Sequence, residues 1–363
     1  MTNKDICVRR LAGQFLTTRG PTRASDIVRA LGAVQAQDYA GAKWALAQRA
    51  LHLTDADVER EITEGRILRT HVLRPTWHFV APDDIRWMLE LTAPRVNAAI
   101  AYHGRYWGLD RGDYRRSNAA FTKALAGGKC LTRTELGAHL ERAGVKAVTG
   151  QRLGHLVMQG ELDALLCSGP RRGKQFTYAL LDERAPAAAN VTREEALLEL
   201  TRRYFATRGP ATPHDFAWWS GLTVTDAKRG IEMTGRELER LTLGSAHYWI
   251  AAAAPRPPRT SSAHLLPNYD EYFIGYRNRS AFAERLGDST AITGGNALIP
   301  HVIVVDGQLV GTWRRTLEKD EVILTLELLT RLSAAESKRV ISAARRFGEF
   351  VGLPVDVRRA ESA

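Results

Sequence analysis

Thr18-Arg-Gly-Pro21, followed by Asp26 and Gly32, returns along the chain as Thr207-Arg-Gly-Pro210, followed by Asp215 and Gly221, every pair 189 residues apart. In each copy a helix ends at Gly and Pro opens the next segment. Asp then sits in the first turn of a short helix that a second Gly closes, as helix capping favours. The spacing predicts helix, turn, short helix, turn, helix. Two β-rich runs follow: Arg66–His71 with Thr76–Val80 after the first copy, Leu238–Leu243 with His247–Ala251 after the second. Three helices and a β-hairpin make a winged helix. A looser middle unit repeats the plan, with helices opening at Leu131–Leu136 and over 149–159, and strands expected at Glu161–Cys167 and Gln175–Leu181. Between those strands, Ser168-Gly-Pro-Arg-Arg-Gly-Lys174 is basic and rich in Gly and Pro, suited to lying along a phosphate backbone.

Composition changes at 111–117, 182–190 and 255–262 mark the breaks. Beyond the last, Pro300–Val305, Gln308–Arg315 and Val322–Leu328 read as strands, with Asp306-Gly307 as a tight hairpin turn. The run 333–352 is an amphipathic helix carrying Val340, Ile341, Ala344, Phe347 and Phe350 on or near one face. The expected fold is α+β: three tandem winged-helix units over 1–112, 113–185 and 190–254, then a small β-rich C-terminal domain over 263–363 with a closing helix. Trp77, Trp218, Trp219, Trp249 and Trp313 lie in apolar surroundings and are expected in the core.

The 363 residues are 44% hydrophobic and 25% charged, a globular balance too long for one ordinary domain. A net charge of +11, with nine lysines among 51 basic residues, favours a polyanion as partner, and guanidinium suits bidentate phosphate and guanine contacts. Arginine replacing lysine in a G+C-rich genome accounts for the same bias. Cys7, Cys130 and Cys167 are odd in number and far apart, so neither disulfides nor a structural zinc are expected. The N-terminus lacks a signal-peptide core, and no stretch reaches the ~18 apolar residues of a membrane span, so a cytoplasmic, nucleoid-associated protein with no membrane partner is expected. Phosphate-loop, dinucleotide, serine-hydrolase and zincin motifs are absent. His71 and His78 read as hydrogen-bonded strand histidines or phosphate contacts rather than metal ligands.

The segment Ala33-Val-Gln35-Ala-Gln37-Asp38-Tyr39-Ala-Gly41-Ala-Lys43-Trp44 opens the third helix of the first unit. Within a regular helix Gln35 and Gln37 diverge; in extended geometry entering a helix both amides can converge. Paired amides can orient a water and hydrogen-bond a sugar or base. They are equally the surface or adenine-reading glutamines of a regulator.

Gln35-Ala-Gln37 with Asp38-Tyr39-Ala-Gly41-Ala-Lys43-Trp44 resembles the signature of the AlkZ/YcaQ family of winged-helix DNA glycosylases. So do Arg69-Thr-His71-Val-Leu-Arg74-Pro-Thr-Trp77-His78-Phe79-Val80, Leu265-Leu-Pro-Asn-Tyr269-Asp270-Glu271-Tyr272 and Gly311-Thr-Trp313-Arg314-Arg315. Gln37 at the second motif position resembles the AlkZ-like branch, which includes self-resistance enzymes against genotoxic natural products, rather than the YcaQ-like branch with Asp there. The resemblance implies three winged helices and a β-rich domain around a basic channel, and a monomeric enzyme that needs no cofactor or metal. Its implied substrate is double-stranded DNA containing cationic N7-alkylated purines, including bulky adducts and interstrand crosslinks.

The resemblance further implies catalysis by Gln37, orienting water, and Gln35, hydrogen-bonding the water or deoxyribose. Asp38 reads as a helix N-terminal charge rather than a base. No lysine adjoins the pair, and Lys43 lies almost two turns on, so a monofunctional glycosylase is expected. Asp38 and Lys43 are grouped with Arg69, His71 and Arg74 along the DNA channel, with Arg171, Arg172 and Lys174 on the middle wing, and with Arg277 and Arg279 as further phosphate contacts. Asp270 and Glu271 read as buried ion-pairing or capping residues. A winged-helix regulator and an adduct-sequestering resistance protein are the rival readings.

Overall fold

A computed structural model describes residues 1–18, 20–145, 150–185, 187, 191–258, 261–287 and 300–360. Helix α1 (Asn3–Gly13) starts at a capping box in which Thr2 and Asp5 satisfy each other's backbone N–H groups. There follow α2 (Ala24–Leu31), β1 (Ala33–Gln35), α3 (Tyr39–Ala47), α4 (Asp55–Thr63), β2 (Leu68–His71) and β3 (Trp77–Val80), the strands forming an antiparallel sheet ordered β1-β3-β2. The 22-residue α5 (Ile85–Tyr106) leads to α6 (Arg111–Leu125), β4 (Leu131–Thr132), α7 (Arg133–Arg142), α8 (Gly150–Leu162), β5 (Leu166–Ser168) and β6 (Thr177–Leu180). Their sheet order is β4-β6-β5, the same placing of first strand beside last.

The third stretch comprises α9 (Arg193–Arg208), α10 (Pro213–Ser220), α11 (Val224–Thr234), β7 (Leu238–Leu243) and β8 (Ala246–Ala251). Its first strand is reduced to a single bridge between Ala211 and Trp249. Helix, strand, helix, helix, strand, strand thus occurs three times. The glycines of the repeat close α2 and α10 with φ +78° and +71°, conformations in which a side chain is strained. The echo is nevertheless one of caps and not of position, because α2 precedes the first strand of its stretch whereas α10 follows it.

The remainder contains β9 (Ala263–Leu266), α12 (Glu271–Ile274), α13 (Ser280–Ala283), β10 (Val302–Val305), β11 (Gln308–Leu317), β12 (Val322–Leu328), α14 (Ala334–Val351) and β13 (Val355–Arg359). The sheet order is β13-β12-β11-β10-β9, with only the β12–β13 pair parallel. Val340, Ala344, Phe347 and Phe350 of α14 pack on Ile303, Trp313 and Leu324, and Trp44 of α3 joins the same cluster. A larger core runs without a break through α1, β2, β3, α5, α9, α10, α12 and β10, so the successive stretches share one interior.

Three expectations are corrected here. The glutamine motif does not open a helix: Gln35 ends β1, and α3 begins only at Tyr39 behind the N-cap Asp38. Glu161 lies in α8, which continues to Leu162 because Leu153, Leu156, Val157 and Gly160 keep helical spacing toward the interior. Trp218 is 45% exposed while its neighbour Trp219 is fully buried, since successive helical side chains diverge by about 100°. No helix among the described residues is long and apolar enough to cross a membrane.

Burial strips His78, His264 and His301 of water and lowers their pKa from 6.5, His264 to about 3 and His301 to about 4. Below about pH 6.5 the unfolded chain therefore binds protons that the folded chain refuses, and stability falls as pH falls through that window. Thermal melts should show a lower midpoint at about pH 5 than at about pH 7.5, and His264→Phe should flatten the difference. An unchanged slope in that variant would remove His264 from the account.

Candidate active site

Strand β1 is three residues long and lies at the rim of its sheet. One edge faces β3, where the Ala36 N–H donates to the Trp77 carbonyl at 2.7 Å just past the strand. The other edge meets two buried side chains. Arg208 Nη2 donates to the Ala33 carbonyl at 3.0 Å, and Glu271 Oε1 accepts from the Gln35 N–H at 2.9 Å. Arg208 and Glu271 pair at 2.6 Å, both fully out of solvent.

The Gln35 side chain is 7% exposed, and its Oε1 accepts from Arg74 Nη2 at 3.1 Å. That bond fixes the amide polarity: the oxygen is engaged, and the NH2 group faces elsewhere. Burial lowers the pKa of Arg74, with Glu271 opposing the shift. Gln37, beyond the end of β1, is exposed and makes no side-chain hydrogen bond among the described residues. Asp38 accepts from the Gly41 N–H at 3.1 Å and stands 3.7 Å from Arg315, so it serves the start of α3.

Register places Gln35 opposite His78, and His78 opposite Thr70, so the three form a polar row on one face of the sheet. His78 is wholly buried and held neutral, with Nδ1 donating to the Thr76 carbonyl at 2.9 Å. Arg69, His71 and Trp77 occupy the opposite face. Arg69 is sandwiched 4.3 Å from Trp77 and 4.6 Å from Phe176, donates to the Ala36 carbonyl, and is pushed down to about 10 by burial. His71 is paired with Glu161 and lies against the Trp77 ring.

Several residues expected along a nucleic acid are therefore engaged elsewhere. Lys43, Arg69 and His71 are 4%, 7% and 5% exposed, so they brace the motif from inside and do not face a backbone. Lys43 Nζ lies 2.8 Å from both Asp55 and Glu59, and that pairing is what makes its burial tolerable. Arg171 lies over Tyr39 and Phe176 and 3.8 Å from Glu59, and Arg172 pairs with Glu135 at 2.7 Å. Lys174 is exposed and without a partner among the described residues. Arg277 is exposed, and Arg279 stacks 4.6 Å over Phe273; both line a cleft of about 760 Å³ with His214, His247 and Asn278.

Asp270 and Glu271 are buried ion-pairing residues, as their setting in the sequence suggested. Asp270 binds Arg49 through both oxygens at 2.7 and 2.8 Å and caps α12. Their partners carry no signal in the sequence: Arg49 and Arg208 stand 221 and 63 residues away. Among the described residues no group of three His, Cys, Asp or Glu is placed to hold a metal ion.

A family model described as DNA glycosylase AlkZ-like matches residues 28–350. A relative in Streptomyces sahachiroi, described as an interstrand DNA cross-link repair glycosylase, is 26% identical over 382 positions that cover 98% of each chain. The solved structure of Streptomyces sahachiroi DNA glycosylase AlkZ superposes with a TM-score of 0.80 at 24% identity, over 98% of this chain and 99% of that one. That likeness establishes the shared fold.

The contrast between Lys43 and Lys174 is directly measurable. For duplex DNA, Lys174→Ala should lower the slope of log affinity against log salt by about one, whereas Lys43→Met should leave it unchanged and lower the melting midpoint instead. A reduced salt slope for Lys43→Met would contradict its internal role.

Proposed function

The chain belongs to the AlkZ-like DNA glycosylase family, and on that footing we propose that it hydrolyses the N-glycosidic bond of cationic N7-alkylated purines in duplex DNA. The observation that carries this reading is the split pair of amides: Gln35 buried with its oxygen bound to Arg74, and Gln37 exposed just beyond the end of β1. We read the three repeated stretches as winged-helix units over 1–112, 113–185 and 190–254, with a β-rich domain over 263–363.

Alkylation at N7 makes the purine a cation. As its bond to C1′ breaks, the electron pair goes to the base and cancels that charge, so the leaving group needs no strong acid. The sugar is left as an oxocarbenium ion that water attacks, with the water's proton passing to solvent. Two amides suit this chemistry because they act by position and dipole. Gln37, with its oxygen free, accepts from the attacking water and orients it. Gln35, whose oxygen is already occupied, offers N–H groups to the water or the deoxyribose.

Lys43 supports release by water rather than by an amine. An ammonium held between Asp55 and Glu59 is not available to attack C1′, so the product is an abasic site. The exposed Lys174, Arg277 and Arg172, the last paired with Glu135, and the half-buried Arg279 are proposed to contact phosphates. The relative's role in interstrand cross-link repair supports extending the substrate to bulky adducts and crosslinks. Such a substrate places the protein with the chromosome in the cytoplasm.

Base release from a duplex carrying N7-methylguanine, and from a crosslinked duplex, tests the reading. Gln35→Ala and Gln37→Ala should each slow single-turnover release by about 100-fold with DNA affinity retained. Binding without release by the wild-type protein would turn the reading toward a regulator, or toward sequestration if the adduct is held selectively.

A further inference from the structure

We propose that Glu271 and Arg208 are positioning residues for hydrolysis: their buried ion pair stands where a neighbouring strand would lie beside β1 and fixes the pleat that turns Gln35 inward. The inference rests on the glycosylase reading of the same site.

Alternate residues of a strand present their N–H and C=O groups to the same edge. In β1 the inner edge belongs to Val34 and continues to Ala36, paired with β3, while the outer edge presents the Ala33 carbonyl and the Gln35 N–H. Among the described residues no strand lies on that side, because β1 ends the sheet. Arg208 donates to the first group at 3.0 Å and Glu271 accepts from the second at 2.9 Å. The ion pair thus reproduces one rung of a ladder, donor and acceptor in the right order.

The rung is anchored from behind. The guanidinium also donates to the Leu31 carbonyl at 2.8 Å, fixing the chain where α2 ends and β1 begins. Glu271 Oε2 accepts from Arg208 at 2.6 Å and from the Trp219 indole at 2.9 Å, and the Arg208 guanidinium lies 4.3 Å over the Trp219 ring. All three side chains are fully buried, so none touches DNA; Arg208 and Glu271 act through the backbone of β1, and Trp219 acts through them.

What the rung protects is register. Three paired residues are too few to hold a strand in place by themselves, and a slip of one residue exchanges the two faces. Gln35 would then leave the row with His78 and lose Arg74, and the polarity of its amide would no longer be set.

The test uses full-length protein, with Glu271→Gln as the principal variant because it keeps the shape and removes the charge. Single-turnover release from saturating N7-methylguanine duplex is measured beside duplex affinity and amide hydrogen exchange over residues 33–37. We expect affinity within about twofold, release slower by about 100-fold, and faster exchange confined to those residues. A folded Glu271→Gln protein with wild-type release, or with unchanged exchange at 33–37, overturns the proposal. Wild-type protein that releases no base sinks the glycosylase reading alone, and exchange then decides the positioning role by itself. If Glu271→Gln does not fold, Trp219→Phe takes its place: it removes one donor to Glu271 and should slow release about tenfold, and a wild-type rate there overturns the proposal.

Discussion

Two adjacent acids at the start of one short helix, Asp270 as its cap and Glu271 as its first residue, hold the molecule together at a point. Asp270 takes Arg49 from just beyond α3, Glu271 takes Arg208 from the end of α9, and all four side chains are no more than 2% exposed. A charge so deep inside is tolerable only with its partner, because solvent no longer screens or hydrates it. Hydrophobic contact would allow the stretches to slide over one another; these pairs do not. Each acid meets one guanidinium at one geometry, and that geometry joins the first stretch, the third and the C-terminal sheet. Around the joint, Tyr204, Phe205, Phe216 and Trp219 fill the remaining volume with ring contacts 5.1 to 6.4 Å apart.

Much of this architecture was legible in the sequence wherever the signal is local. Caps, hairpins and the amphipathic α14 depend on residues within a few positions of one another, and their elements fall close to where spacing placed them. Strand β1 was not legible: three residues carry no periodicity, and they are extended because β3 and an ion pair hold them. For the same reason the sequence identified Gln35 and Gln37 as a pair yet could not say that one is enclosed and the other open. That difference is made by Arg74, Arg208 and Glu271, which come from other elements. Lys43 and Arg69 misled because a basic residue beside a nucleic-acid motif reads as a contact. What neutralises Lys43 lies 12 and 16 residues further on, across a turn.

The formal charge of +11 also overstates the free positive surface. Arg23, Arg60, Arg193, Arg202 and Arg358 each face a carboxylate at 2.8 Å or less. Such exposed pairs add little stability, but they spread the field over the surface. Cations without an acidic partner among the described residues matter more for a polyanion, among them Lys174 between β5 and β6, and Arg277 and Arg279 at the cleft they line with His214 and His247.

The rim of β1 has a bearing on how the protein behaves in a crowded cell. A bare strand edge is a template onto which another polypeptide can pair, the first step of many aggregation and strand-exchange reactions. Here that edge has no vacancy, since its carbonyl and its amide are both taken by charged side chains sealed beneath Trp219. The sheet that carries the motif therefore offers no bare edge on that side to recruit stray chains. The two charges that occupy the edge act as an internal guard against misassembly.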